Sequence, residues 1–190
     1  TLANKPSLVR FVQLNASEMN LWGVDAEANY RFNIADGRMT LRGLVGYQPH
    51  YEVLIAPGVP KLDLAGSAST QASGGVPKLR FTMMADYSIG DWTVSVQERW
   101  RQSQKWDNDP SVVYSMPDVA SVAYTDLTVV RKFGEGSRYQ AFLSVQNLLD
   151  RQPPLYIAPG SAGVPSFSFP ANTGDDIIGR YITAGIRFKL

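Results

Sequence analysis

Residues 180–190 read RYITAGIRFKL, and this closing stretch decides how the rest of the chain is read. Its apolar residues, Ile182, Ala184, Ile186, Phe188 and Leu190, fall at every second position, with Thr183, Gly185, Arg187 and Lys189 between them. Successive side chains on a strand point to opposite faces, so the segment is a strand with one apolar and one polar side. A single strand of this kind is not stable in water and needs paired neighbours.

The same period of two recurs upstream. The longest case is 23–33, where Val24, Ala26, Ala28, Tyr30 and Phe32 alternate with Asp25, Glu27, Asn29, Arg31 and Asn33. Asp36-Gly37 then signals a hairpin, and 39–48 returns with Met39, Leu41, Val45 and Tyr47 in phase and Leu44 out of it. Further strands are expected at 7–14, 78–87, 92–101, 122–133 and 138–147. Short turns fall at 34–38, 88–91 and 134–137, and longer connections at 15–22, 49–77, 102–120 and 148–179. Those at 49–77 and 148–179 are rich in proline and glycine, and 49–77 also holds the small-residue run 65–72.

The expectation is an all-β chain, an antiparallel up-and-down meander of about eight strands. In a meander, alternate connections emerge at the same end. Strictly alternating short and long links therefore give one end of tight turns and one end of large loops. With tilted strands of about ten residues, that asymmetry is the pattern of a transmembrane β-barrel of the outer-membrane kind. Tyr30, Phe32, Tyr47, Tyr87, Trp92, Trp100, Phe133 and Phe188 are the candidates for its interfacial aromatic girdles.

Composition narrows the function classes. Charged residues make up only 18% of the chain against 44% apolar residues, which leans toward a non-aqueous surface. A net charge of +1 offers no field for nucleic acid. The lack of cysteine excludes thiolate metal sites, cysteine catalysis and disulfides. A single histidine, His50, excludes a multi-histidine centre, and there is no nucleophile elbow and no glycine-rich phosphate loop. No enzyme activity and no cofactor are expected. No apolar run is long enough for a spanning helix. No signal peptide opens the chain, and Thr1 is read as the start of a mature product or fragment.

Three segments resemble one family. Gly23-Val24-Asp25-Ala26-Glu27-Ala28, Val145-Gln146-Asn147-Leu148-Leu149-Asp150, and Gly179-Arg180-Tyr181 with the amphipathic end are similar, in order and spacing, to barrel segments of TonB-dependent outer-membrane receptors. Leu190 keeps the apolar phase where outer-membrane barrels usually end in Phe or Trp. The resemblance implies that residues 1–190 are the C-terminal segment of a larger barrel, with the plug domain and earlier strands absent. It implies a transporter in the bacterial outer membrane that takes up a scarce nutrient such as a ferric siderophore. Its implied partners are outer-membrane lipid, that nutrient, the TonB complex through the missing plug region, and the barrel-insertion machinery through the C-terminal strand.

Two other readings stay open: a complete small eight-stranded outer-membrane barrel with a structural or adhesive role, and a soluble β-sandwich or lipocalin-like binding module. Candidate ligand contacts are His50 and Tyr51 at the mouth of the first long loop, and the loop aromatics Trp106, Tyr114 and Tyr156. Loop packing is the commoner role for such residues. Asp107 with Asp109, and Asp175 with Asp176, could bind a cation or simply be solvated. Arg31, Arg42, Arg80, Arg99, Arg101 and Arg131 are read as polar-face residues opposite Asp25, Glu27 and Asp86, either a hydrated, charge-paired wall or a basic surface guiding an anionic substrate.

Overall fold

The computed structural model describes residues 18–69, 74–111, 113–114, 116–159, 165–168 and 174–188. The strand expected at 7–14 and the terminal Lys189 and Leu190 lie outside them. Twelve strands follow in order: β1 (Glu18–Ile34), β2 (Gly37–Leu54), β3 (Leu62–Asp63), β4 (Leu79–Ile89), β5 (Trp92–Arg101), β6 (Gln104–Lys105), β7 (Asp118–Val119), β8 (Val122–Phe133), β9 (Tyr139–Gln146), β10 (Tyr156–Pro159), β11 (Pro165–Ser168) and β12 (Tyr181–Phe188). The main sheet has the order β1-β2-β4-β5-β8-β9-β12, every pair antiparallel, and β3 beside β2 makes it eight-stranded. The only helical element among the described residues is a 3-10 turn, Glu135–Ser137. The fold is therefore the all-β antiparallel meander that the alternation implied. Among the described residues no ladder joins β1 to β12, so the sheet has two open edges.

Register carries each face across the whole sheet. One row runs Phe32, Met39, Tyr87, Val94, Val129, Leu143, Ala184; the adjacent row runs Arg31, Thr40, Asp86, Ser95, Thr128, Ser144, Thr183. Directly opposed residues share a face, so the first row lies on one side and the second on the other. Among the described residues no second layer covers the apolar side: Tyr30 is 66% exposed and Ile186 65%. This overturns the soluble sandwich, which would have buried these residues against a second sheet. The buried hydrophobic clusters sit in the long-loop layer instead, one around Tyr51, Val53, Leu64 and Ala65 and one around Ala68, Trp106 and Val119.

Aromatic residues on the apolar side form two bands. Tyr30, Phe32, Tyr87, Trp92, Phe133, Tyr139 and Phe188 lie toward the short turns, and Trp22, Tyr47, Phe81 and Trp100 toward the long loops. Trp92 and Trp100 are about 27 Å apart along β5, or about 21 Å along a membrane normal at a tilt of about 40°. That is close to the ~25 Å apolar band of an outer-membrane barrel.

Four expectations are corrected. β1 begins at Glu18, within the connection expected at 15–22, and β2 continues past Pro49 to Leu54. The proline is absorbed at a bulge: Trp22 pairs with His50 and Val24 with Tyr47, so Gln48 and Pro49 together face Gly23. A missing N–H is harmless where the ladder is already interrupted. His50 and Tyr51 are consequently strand residues. The first hairpin turns on Ala35 and Asp36, both with positive φ (49° and 60°), while Gly37 already pairs with Ile34. Gly37 is required for another reason, because the Tyr87 ring lies 2.6 Å from where a Cβ would stand, and its hydroxyl donates to the carbonyls of Ile34 and Ala35. Finally, Arg131 pairs with Trp92 and Ala141 and so lies on the apolar side, where Val129 and Phe133 set the phase of β8.

Ala35 holds a left-handed conformation that costs an alanine about 1 kcal/mol. Ala35→Gly should raise the urea midpoint of the protein folded in detergent, and Gly37→Val should lower it by displacing Tyr87. Equal midpoints for all three proteins would refute this account of the turn.

Candidate functional site

On the polar side, toward the long loops, a cavity of about 590 Å³ opens. Two register rows build its wall: Asp25, Gly46, Arg80, Arg101, Val122, and Glu27, Leu44, Thr82, Arg99, Tyr124. Leu44, out of phase in the sequence, is thus an apolar patch on this wall. Gly46 leaves a gap that Asp25 and Arg80 enter from either side, at 2.9 and 3.4 Å from a Cβ built there. Gly174 and Asp175 of the last long loop also line the cavity.

Three arginines face this space with different degrees of commitment. Arg101 is fully engaged: Nε donates to Asp175 Oδ1 and Nη2 to Asp175 Oδ2, both at 2.7 Å, and Nη1 donates to the Ala120 carbonyl at 3.1 Å. Both partners are buried, at 8% and 9% exposure. The fork-to-fork geometry makes this a strong charge-assisted pair, and it fastens the loop after β9 to the end of β5. Arg99 reaches Asp126 at 3.4 Å and lies over the Tyr124 ring at 5.6 Å, with its buried Nε unpartnered. Arg80 is exposed and has no ion pair among the described residues. Lower on the wall, Arg42 pairs with Glu27 at 2.8 Å, both about half exposed, a geometry that contributes at most about 1 kcal/mol.

The segment Val145–Asp150, singled out in the sequence, is a junction rather than a ligand site. Asn147 is fully buried with φ 49°, a conformation asparagine tolerates. Its N–H donates to Asp126 Oδ1, its Nδ2 to the Arg151 carbonyl, and its Oδ1 accepts from the Arg151 N–H. Asp150 Oδ1 accepts from the Arg180 N–H at the entry to β12. These two side chains order the turn off β9 and the entry to β12, and the Asn147 backbone N–H, through Asp126, links the junction to the cavity's cation Arg99.

The five residues nominated as ligand contacts are separated by the structure. His50 stacks on Trp22, ring centroids 6.3 Å apart, and its Nε2 lies 3.9 Å from Glu52. Tyr51 points the opposite way into a buried cluster. Trp106 is buried with Tyr114 against it, edge to face at 6.4 Å. Tyr156 is placed only by its backbone, opposite Ser168 in the β10–β11 hairpin. The cavity wall brings none of them together. Its arginines were visible as polar-face residues, but the sequence has no signal for which of them share a row.

Asp107 and Asp109 serve local turns. Asp107 accepts from the Asp109 N–H, and Asp109 accepts from the Ser111 N–H and hydroxyl. The Ser111 hydroxyl first, then its N–H, holds the Asp109 carboxyl below its ordinary pKa. Among the described residues no cluster of three or more His, Cys, Asp or Glu could hold a metal ion.

Asp175→Asn leaves the buried Arg101 without its counter-charge, a change worth roughly 3–5 kcal/mol at such pairs. Amide exchange around residues 174–180 should then accelerate by at least a hundredfold, while the β4–β5 ladder is unaffected. Unchanged exchange in that loop would show that the pair does not fasten it.

Residues 2–148 match the family model described as TonB dependent receptor-like, beta-barrel. Comparison with curated proteins and with solved structures gave no match. The matched span covers the Gly23–Ala28 segment and stops within the Val145–Asp150 junction, so Gly179-Arg180-Tyr181 lies beyond it. The family is one of outer-membrane transport receptors, not of enzymes, and the uncovered apolar side, the paired aromatic bands and the alternation of short turns with long loops are what such a barrel wall requires. The chain belongs to the TonB-dependent receptor-like β-barrel family.

Proposed function

We propose that this chain forms the C-terminal part of the barrel wall of a receptor that imports a scarce nutrient such as a ferric siderophore, driven by TonB through a plug region outside these residues. The observation that carries the reading is the row-by-row separation of faces: an apolar side left open for acyl chains and a polar side left open for a hydrated lumen. A seven-strand ladder with free edges at β1 and β12 fits one sector of a larger barrel better than a closed small one, since unpaired backbone groups are intolerable in lipid. β12 carries the closing signal read by the insertion machinery.

The substrate reading is an anionic one. Arg80, without an ion pair among the described residues, and Arg99, with an unpartnered buried Nε and the Tyr124 ring beneath it, stand in adjacent rows of the cavity wall. Tyr114 keeps accessible surface and is assigned to the outer ligand approach, whereas His50, opposed to Trp22 and stacked on it, stands on the outer face of the wall. Tyr51 and Trp106 act by holding the loops in place, and Tyr156 belongs to the same loop layer.

Uptake of labelled ferric siderophores by cells carrying the intact protein tests this reading. Transport should stop on addition of a proton uncoupler, and Arg80→Glu should reduce uptake of anionic substrates at least tenfold. Uptake that is insensitive to the uncoupler would contradict energised import.

A further inference from the structure

The apolar side carries a cation that neither the barrel nor the transport reading uses. Register places Arg131 in the row Trp92, Arg131, Ala141, Ile186, in the aromatic band nearest the short turns. It is exposed, and its guanidinium carbon lies 5.0 Å from the centre of the Trp92 ring. No carboxylate or carbonyl among the described residues pairs with it. The one carboxylate on that side between the two aromatic bands, among the described residues, is Glu98. It lies about 20 Å further along the sheet and accepts from Thr125 Oγ1 at 2.5 Å. A charge facing hydrocarbon is costly unless it reaches the interface and meets an opposite charge there.

We propose that Arg131 and Trp92 form a binding site for the phosphate of an anionic phospholipid in the membrane leaflet at the short-turn end. The ring holds one face of the guanidinium, which leaves its N–H edge free to grip a phosphate. Ala141, the next residue in the row, is small and leaves a shallow notch between Arg131 and Ile186 that admits the glycerol region. Phe133 and Tyr139, stacked 5.5 Å apart, bound the notch on the turn side. Val129 and Leu143 continue the face toward the membrane centre and give the acyl chains an apolar track. Short turns face the periplasm in outer-membrane barrels, so the lipid belongs to the periplasmic leaflet. The site rests on the reading that the apolar side meets lipid.

Lys132 supplies the matched control: it is adjacent in sequence, carries the same charge and pairs with Gln140 on the opposite face. Native mass spectrometry of the full protein in detergent should show phosphatidylglycerol retained about fivefold more tightly than phosphatidylcholine, as expected for one well-placed cation at a membrane surface. Arg131→Gln should abolish the preference, Arg131→Lys should keep part of it, and Lys132→Gln should keep all of it. Trp92→Phe, a milder change should Arg131→Gln fail to fold, should weaken phosphatidylglycerol retention two- to threefold. Equal losses in Arg131→Gln and Lys132→Gln, or no preference in the unaltered protein, would overturn the site. Neither result touches the barrel reading, which instead would fail if the protein were a monomer without detergent.

Discussion

Backbone amides and carbonyls facing hydrocarbon have no water to bond, so each must find its partner within the protein. The rest of this structure follows from that constraint. Seven long strands answer it ladder by ladder, and the ladders in turn fix the register that keeps apolar and polar residues on separate sides. A slip of one residue anywhere would turn charged side chains such as Asp86 and Arg31 toward lipid and expose Tyr87 and Phe32 to the lumen. Fitted glycines help hold that register. Gly37 receives the Tyr87 ring, Gly134 the Tyr139 ring and Gly185 the Phe142 ring, each at a distance a side chain would not allow.

The two ends of the sheet solve different problems. At the short-turn end, aromatic rings and the hairpin geometry of Ala35 and Asp36 close the strands tightly. At the other end, the loops have only the short ladders β2–β3, β6–β7 and β10–β11, and they add small cores and polar latches of their own. Trp106 with Val119 and Ala68, Tyr51 with Leu64, and Arg101 with Asp175 tie the three long loops to one another and to the sheet. Residues 75–77 and 174–175 of the long loops line the cavity together with Arg80 and Arg99, so the loop layer forms part of its wall. Fold and site are coupled through one residue in particular, Asp126, which accepts from the Asn147 N–H and forms an ion pair with Arg99.

Much of the fold was legible because period two is a direct record of facing. The strands expected at 78–87, 92–101 and 122–133 have nearly the observed limits, and the hairpin links follow from their length. What escaped was information held between strands. Pro49 looked like a terminator because nothing in a linear reading pairs it with Gly23. Arg131 was grouped with the lumenal arginines by residue type, although its two-residue distance from Val129 and Phe133 already placed it among the apolar residues. The cavity was legible only in part. The arginines were evident, but which stand in adjacent rows depends on the register of β4, β5 and β8. Of the aromatics nominated as ligand contacts, Trp106 and Tyr51 take the commoner packing role: Trp106 is buried in a loop cluster, and Tyr51, at the end of β2, is buried against Leu64.

The central claim is that one side of this sheet meets acyl chains and the other meets water, and the absence of native cysteine makes it directly measurable. Single cysteines placed in turn from residue 80 to residue 87, spin-labelled in liposomes, report oxygen access from lipid and nickel-chelate access from water. Oxygen access should peak at 81, 83, 85 and 87 and nickel access at 80, 82, 84 and 86, alternating without a break. A profile with no period of two, or with the phases exchanged, would contradict the account.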